Sequence, residues 1–453
     1  MLVGDMNRRS PAIAALLSFL WPGAGHYYLG RRRTAAVFAI PLLVVTLALA
    51  TRLLGGVEGF AFYAISPGGA LTLFVLLVIS GMWRLIAMAD AVLVARRDLG
   101  PLDGPSSGLA TVLIAVVFLT HGGLGWVAYS GYDASSKIFV GDTNQPGATD
   151  AVPSGSDDPI VQPSDSVAPS PSAPAIRDGR LTVLLVGVDS APGRSEALTD
   201  SILLVSVLPS TGAVQMVSLP RDVSYFPLYS GGIYTAKVNS LMWYASSHPS
   251  RFPDGGLSTL ASEVGFLVGV PVDYYAEVNL GGFRTLVDTI GGVTVDVPTA
   301  IVDPRYEWLD GTFGLKMHAG VQTLDGRMAL AFARSRLGIG ESDFTRAKNQ
   351  QILLLALRDK LVSPAMLPKL PTLLQVAGQT IRTNIPADLV QQLVDLARGV
   401  DKTKVQQVVL GPPYSVHPPS SATGGQYILQ LDPGPLAKIS IQLFGSDSRY
   451  SPQ

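Results

Sequence analysis

The chain of 453 residues contains no cysteine. That excludes disulfides, thiolate-bound metals and cysteine nucleophiles, and it leaves the compartment open, because a cysteine-free chain is at home on either side of a membrane. Charge is scarce as well. Asp, Glu, Lys and Arg make up 15% of the residues, against about a quarter in ordinary soluble proteins, and the mean hydropathy is +0.34. Part of the chain therefore belongs in lipid. The 33 Lys and Arg balance the 34 Asp and Glu, so the basic field by which proteins capture nucleic acid is missing. The length itself suggests two or three folded units.

The distribution of the apolar residues sets the organisation. Residues 34–51, 59–83 and 104–132 are free of Asp, Glu, Lys and Arg, and each run is of the order of the ~20 residues a helix needs to cross hydrocarbon. The sequence predicts three transmembrane helices, at about 34–54, 69–92 and 109–130, in a membrane module of residues 1–130. Residues 10–30 are equally apolar, but Trp21-Pro22-Gly23-Ala24-Gly25 interrupts them and each half is too short to span. A re-entrant or interfacial hairpin is expected there. Arg31, Arg32 and Arg33 precede the first span, and Arg96 and Arg97 follow the second. By the positive-inside rule both clusters are cytoplasmic, which predicts a multi-pass cell-membrane protein with an extracytoplasmic C-terminal domain. Arg84 and Asp90, near the cytoplasmic end of the second span, read as side chains that snorkel to the interface.

Residues 131–178 turn to Pro, Ser, Asp, Gly and Ala. Such a composition buries too little apolar surface to fold, so a disordered linker is expected, giving the next domain reach. From 179 to 453, strand-like runs alternate with helical periodicity. Strands are expected at 181–188, 201–208, 213–219, 274–278, 293–297, 405–410 and 426–431, and helices at 237–247, 256–268, 282–290, 323–335, 343–362 and 386–399. The pattern predicts an α/β domain with a central mixed β-sheet flanked by helices on both faces, ligands binding beyond the strand ends.

The densest chemistry lies in residues 324–351, LDGRMALAFARSRLGIGESDFTRAKNQQ. Arg334 and Arg336 stand where one helix is expected to give out, and Arg346 and Gln350 share a face of the next, being four residues apart. Guanidinium groups converging from two segments suit a phosphate or pyrophosphate, because Arg offers a planar fork of donors and stays charged. A solvated basic face is the plain alternative. Asp189 ends the first strand and Asp200 opens the second, so both carboxylates reach one sheet edge, where magnesium would be at home among carboxylate and phosphate oxygens; turn formation or helix capping explains such aspartates equally well. Arg221 and Asp222 follow the third strand at that same edge, and Lys237 and Asn239 open the next helix.

Together these blocks resemble a family. VGVDS, LTDSILLVSV, SLPRDV, KVNSLMWYA, VDYYAEVNLGGFRTLVDTIGGVTVDVP, LDGRMALAFARSRLG and DFTRAKNQQILL are similar, in that order and over residues 180–362, to the motifs of the LytR-CpsA-Psr family of cell-envelope glycopolymer transferases. The resemblance implies transfer of a glycan from a polyprenyl-pyrophosphate carrier to a peptidoglycan acceptor outside the membrane, with Mg2+ and without nucleic acid. It implies that Asp189 and Asp200 hold the metal and that Arg221, Lys237, Arg334, Arg336, Arg346, Asn349 and Gln350 bind pyrophosphate. Arg221 would also serve catalysis, and Asp222 or Asp343 would act as base, with displacement at the anomeric carbon or the adjacent phosphorus. The polyprenyl tail requires an apolar groove, to which Leu260, Phe266, Leu267, Phe283 and Leu286 are candidates, although core packing suits most of them too. Two positions depart from the family pattern. Leu198-Thr199 replaces Arg-Ser before Asp200, and Asn349 replaces an arginine, so each removes a cation from the expected anion site. A lipid-phosphate-binding scaffold with weak catalysis, or a polyprenyl-pyrophosphate pyrophosphatase, are the alternatives.

Overall fold

The computed structural model describes residues 10–99, 104–139, 159–161, 179–189, 198–308, 310–335 and 343–452. They fall into two compact units, Met1–Ser136 and Lys137–Gln453.

The first unit is helical: α1 (Pro11–Leu20), α2 (Ala24–Tyr28), α3 (Arg32–Leu54), α4 (Val57–Ile65), α5 (Pro67–Leu99) and α6 (Gly104–Ile138). Segments Arg32–Leu54, Pro67–Asp98 and Ser107–Ile138 are long and apolar enough to cross a membrane. Between α1 and α2 the chain turns at Gly23, where φ is +93° and a Cβ would stand 2.2 Å from the Ala35 carbonyl oxygen, so only glycine fits. The reading of Arg84 and Asp90 as snorkelling side chains is corrected here. Arg84 Nη1 donates to the Phe19 carbonyl at 2.7 Å, and buried His26 donates through Nε2 to the Asp90 carboxylate at 2.8 Å. Carbonyls in the last turn of a helix have no intrahelical partner, and an apolar medium offers no water to replace it. The two charges of α5 therefore fasten the short helical hairpin to it.

The second unit contains strands β1 (Leu181–Asp189), β2 (Leu198–Leu208), β3 (Ala213–Ser218), β4 (Tyr274–Asn279), β5 (Val293–Val297), β6 (Ile301–Glu307), β7 (Phe313–Met317), β8 (Gly320–Leu324), β9 (Ile381–Thr383) and β10 (Val405–Val409). Its principal helices are α7 (Leu241–Ser247), α8 (Gly256–Val268), α9 (Leu280–Ile290), α10 (Gly326–Arg334), α11 (Asp343–Leu361), α12 (Leu370–Thr380), α13 (Val390–Arg398) and α14 (Pro433–Phe444). A central sheet runs in the order β9-β4-β1-β2-β3-β10. β4 is parallel to β1 and β10 to β3, while the other pairs are antiparallel, so the sheet is mixed as expected. Alternation divides its side chains. Leu184, Val186, Val188, Ile202 and Leu204 pack into a core with residues of α7, α8 and α14. Leu185 and Leu203 turn to the other face, where Leu354 and Leu355 of α11 meet them. Beside that face, α9 to α12 and the ribbons β5–β8 and β6–β7 enclose a separate apolar cluster.

Several expected boundaries move. The helix expected at 323–335 starts at Gly326, because Leu324 completes β8 and Asp325 caps the helix by accepting from the Met328 N–H at 2.8 Å. β6, β7, β9 and α12 occupy stretches where no element was expected, and β8 takes the first two residues of the helix expected at 323–335. The strand expected at 426–431 reduces to Gln430–Leu431, preceded by a single bridge from Leu429 to Val223. Within the expected linker, α6 continues to Ile138, and Ile160–Val161 pairs with Ile233–Tyr234, burying Ile160 in the core. The remainder, 140–158 and 162–178, lies outside the described residues.

Candidate functional site

A β-bulge builds the first part of the site. Gly187 faces Ser201 and Val188 faces Thr199 across the β1–β2 ladder, which leaves Asp200 as an extra residue in β2. Strict alternation would send Asp200 and Ser201 to opposite faces; the bulge lets both line one cavity. Gly187 permits this close pairing, since a Cβ there would come within 3.1 Å of the Ser201 Cβ. Arg221, delivered by the turn that Pro220 opens after β3, donates through Nη1 to Asp200 Oδ1 at 2.5 Å. Arg346 Nη2 stands 3.5 Å from the Asp200 carbonyl oxygen and 3.5 Å from Asp343 Oδ1.

Helix α11 supplies the second part. Arg346, Gln350, Leu353, Leu354 and Leu357 all line the cavity, a spacing that places them along one helical face. Over the ~16 Å rise from Arg346 to Leu357 this face changes from charged to apolar. β2 changes alongside it. Asp200 meets Arg346, Ser201 donates to Gln350 Oε1 at 2.9 Å, and Leu203 packs with Leu354. Gln350 Nε2 also donates to the Ala333 carbonyl at 3.1 Å, joining α10 to the site. The next residue, Gln351, is fully buried and donates to Ser218 Oγ at 2.8 Å and to the Val408 carbonyl at 3.1 Å. Those bonds fix the rotation of α11 against the sheet. Sequence reading missed Gln351, although a second glutamine beside Gln350 was a visible hint.

The cavity so formed has a volume of about 750 Å³. Its walls are Leu185, Leu203 and Val278 of the sheet, Leu280 and Phe283 of α9, Leu330 and Ala333 of α10, and the leucines of α11. Of the residues expected to line an apolar groove, only Phe283 does so. Leu260, Phe266 and Leu267 belong to the core across the sheet, and Leu286 packs with the α9–α12 cluster. Helical spacing identified their apolar faces without showing which side of the sheet each helix covers.

Arg334, at the end of α10, lines the cavity and hydrogen-bonds the Tyr306 phenol, whose pKa is raised, chiefly by burial, against the lowering effect of Arg334. Asp303 accepts from the buried Ser335 hydroxyl at 2.8 Å and so pins the chain just after α10. Tyr306 and Asp303 lie on β6, a strand that the sequence did not reveal. Asp222 is nearly buried and bonds Lys237 Nζ at 2.5 Å, with Arg221 Nε at 3.7 Å. Lys237 thus acts on Asp222 and lines no part of the cavity. Asn349 is corrected: it is buried beside the cavity, not in it, and its amide reaches the Phe332 carbonyl at 3.4 Å. It therefore caps the end of α10. Leu198 does line the cavity, while Thr199 is buried with its hydroxyl on the Asn239 carbonyl at 3.2 Å. Arg336 and the Asp189 side chain lie outside the described residues; the backbone of Asp189 pairs with Leu198 at the end of β1.

A notch of about 20 Å³ adjoins the polar end of the cavity, shares Asp200, Arg221, Arg346 and Gln350 with it, and extends to Asp222, Asp343 and Tyr427. Arg221, Arg346 and Gln350 therefore stand between an apolar hollow on one side and, on the other, a small recess of mixed lining that holds Asp222 and Asp343.

The family model described as the LytR_cpsA_psr family matches residues 148–449, well over half of the chain. The chain belongs to the LytR_cpsA_psr family. Among curated members of this family it is 28% identical over 262 residues to the polyisoprenyl-teichoic acid–peptidoglycan teichoic acid transferase TagU of Bacillus subtilis, covering 58% of this chain and 76% of that protein. It is 27% identical over 205 residues to the transferase TagV of the same organism, covering 45% of this chain and 49% of that protein. Solved structures similar to it include B. subtilis TagU, at 26% identity and a TM-score of 0.42, covering 58% of this chain and 95% of that one. Another is TagT bound to LI-WTA, at 23% identity and a TM-score of 0.43, covering 60% of this chain and 92% of that one.

Proposed function

We propose that this LytR_cpsA_psr protein is a membrane-anchored transferase that moves a glycopolymer from a polyprenyl-pyrophosphate carrier to peptidoglycan on the outer side of the membrane. The observation that carries the reading is the cavity's gradient, with Arg221, Arg334, Arg346 and Gln350 at hand for an anionic head and the α9 and α11 side chains for a tail. A free nucleotide or a soluble sugar phosphate would leave that apolar end unfilled. The relatives' names, which specify polyisoprenyl-linked teichoic acid and peptidoglycan, support the same substrate classes. The three apolar helices supply the anchor, and the arginine clusters flanking them favour an outward-facing second unit.

In this reading the acceptor hydroxyl oxygen bonds to the glycan-side phosphorus and the bridging P–O bond breaks. Polyprenyl phosphate leaves with the electron pair, and the hydroxyl proton passes to a carboxylate. Arg221, Arg334 and Arg346 stabilise the charge that builds on the leaving group in a partly dry site. Both carboxylates proposed as base line the notch. Asp222 is committed to Lys237 and Arg221 and serves to orient the latter, so the more exposed Asp343 takes the proton. Magnesium takes one or two carboxylates and completes its shell with phosphate oxygens and water, so Asp200 at the cavity's edge could serve as one of its ligands. Asp200 and Asp189 would hold it, and it would supply further charge neutralisation at the pyrophosphate.

The test is transfer by the purified full chain from a polyprenyl-pyrophosphate-linked glycan to peptidoglycan fragments. Transfer that is lost in Arg346→Ala and in Asp343→Asn supports the reading. Release of glycan phosphate at the same rate with and without acceptor would make the protein a pyrophosphatase instead.

A further inference from the structure

We propose that Tyr427, backed by His417, is the platform on which an acceptor sugar ring stacks, one of its hydroxyls entering the notch beside Asp343. The inference rests on the transferase reading above and names the acceptor half of that site.

The segment bearing Tyr427 is the part of the chain whose motifs say least, yet the structure pins it against the site. Leu429 N–H donates to the Asp222 carbonyl at 2.9 Å, and Ser224 N–H donates to the Leu429 carbonyl at 2.8 Å. Leu429 thus bridges Val223 in parallel, which sets Tyr427, two residues earlier, at the notch. His417 accompanies it, directly following Ser415–Val416, which pair antiparallel with Gln430–Leu431. Its Nδ1 donates to the Ile428 carbonyl at 2.7 Å, and its ring lies 4.6 Å from the Tyr427 ring at 32°. Tyr427 nevertheless remains 47% exposed. An aromatic ring propped on one side and open on the other is a surface for the C–H groups of a sugar, because its π-face is electron-rich.

Size and charge agree with this assignment. The notch's ~20 Å³ holds about one water-sized group, so a ring must stay outside and send in a single hydroxyl. Asp222 and Asp343 line the notch beside Arg221 and Arg346, and a hydroxyl is a donor those two carboxylates can accept from. Both are near enough to reinforce the upward pKa shift that burial imposes on the phenol, which keeps Tyr427 protonated and neutral. The notch opens from the pyrophosphate-binding groups on the side away from the leucines of α11, where a second substrate can approach while the donor's tail is buried.

The test uses the full chain in detergent and saturation-transfer NMR with chitotetraose, a soluble β-1,4-linked N-acetylglucosamine tetramer. Wild type should transfer magnetisation to the sugar. Tyr427→Phe should keep this within about two-fold, Tyr427→Ala should weaken sugar affinity by ~10-fold or more, and His417→Ala should weaken it several-fold, in line with loss of a ring contact. No transfer in wild type, unchanged affinity in Tyr427→Ala, or a loss in Tyr427→Phe as large as in Tyr427→Ala would each overturn the proposal. A parallel titration with polyprenyl pyrophosphate reads the donor half. Failure of wild type to bind it would sink the transferase reading and leave the sugar result standing, whereas a loss of donor affinity in Tyr427→Ala would overturn the assignment of this ring to the acceptor side.

Discussion

The two faces of the central sheet are made from the same strands and end differently. On one, Leu184 and Leu204 are completely buried among α7, α8 and α14. On the other, their sequence neighbours Leu185 and Leu203 border a cavity of about 750 Å³. Interiors are normally packed to crystal density, so a hollow this large beside an apolar sheet face forgoes stabilisation that one or two larger side chains would supply. The closed face holds the fold together, and the open face is kept for a ligand.

The sharpest way to break that contrast is a matched pair of truncations. Leu184→Ala should destabilise the second unit by about 2–5 kcal/mol, whereas Leu354→Ala, already bordering space, should cost less than ~1.5 kcal/mol; urea unfolding followed by near-UV circular dichroism compares them. Equal losses would mean that the cavity is filled in solution. The closed face should also carry the pH dependence of stability. Burial pushes Glu263 of α8 up to about 8 from its ordinary 4.5, outweighing the hydrogen bond it accepts from Tyr229 N–H. Between those values the folded protein holds a proton that the unfolded chain releases, so stability should fall as pH rises from about 5 to about 8, by at most ~1.4 kcal/mol per unit. Glu263→Gln should flatten the slope.

On the open face the effects should appear in binding. Arg346→Ala should weaken polyprenyl pyrophosphate binding by roughly 100-fold, the usual cost of truncating a buried charge that meets its partner, and by much less in Arg346→Lys. Leu354→Trp should reduce affinity for the long-chain lipid by ~10-fold while sparing inorganic pyrophosphate, because it fills the tail end only. The smallest expected change is in Tyr306→Phe, a few-fold loss of donor affinity as Arg334 gives up one hydrogen bond. Isothermal titration with the two ligands separates these three.

The closed face was the legible one. Runs such as LTVLLVGVD and LTDSILLVSVL announce β1 and β2 by composition, and α8 follows from periodicity. IVDPRYE, FGLKM and GVQTL, which form β6 to β8, contain charge, proline or glycine and pair only in two-stranded ribbons, so no alternation marked them. With β6 went Tyr306 and Asp303. At the site, Arg221, Arg334, Arg346 and Gln350 were recognisable from residue type and the family blocks, and the structure brings them to one cavity. Asn349 was assigned to the site by its place in the family pattern, three residues after Arg346, while the helix turns its amide towards the Phe332 carbonyl. The bulge that turns Asp200 into the cavity has no local sequence sign, since it is a matter of register between two strands.

The most direct measurement is photocrosslinking of the full chain with a polyprenyl pyrophosphate carrying a photoreactive group near the end of its tail, followed by peptide mapping. Labelling should concentrate on the cavity-facing residues of α9 and α11, with Phe283, Leu354 and Leu357 foremost, and should be competed by unmodified lipid. Labelling confined to the membrane helices, or unchanged when the cavity is filled in Leu354→Trp, would contradict the assignment of the open face to the carrier lipid.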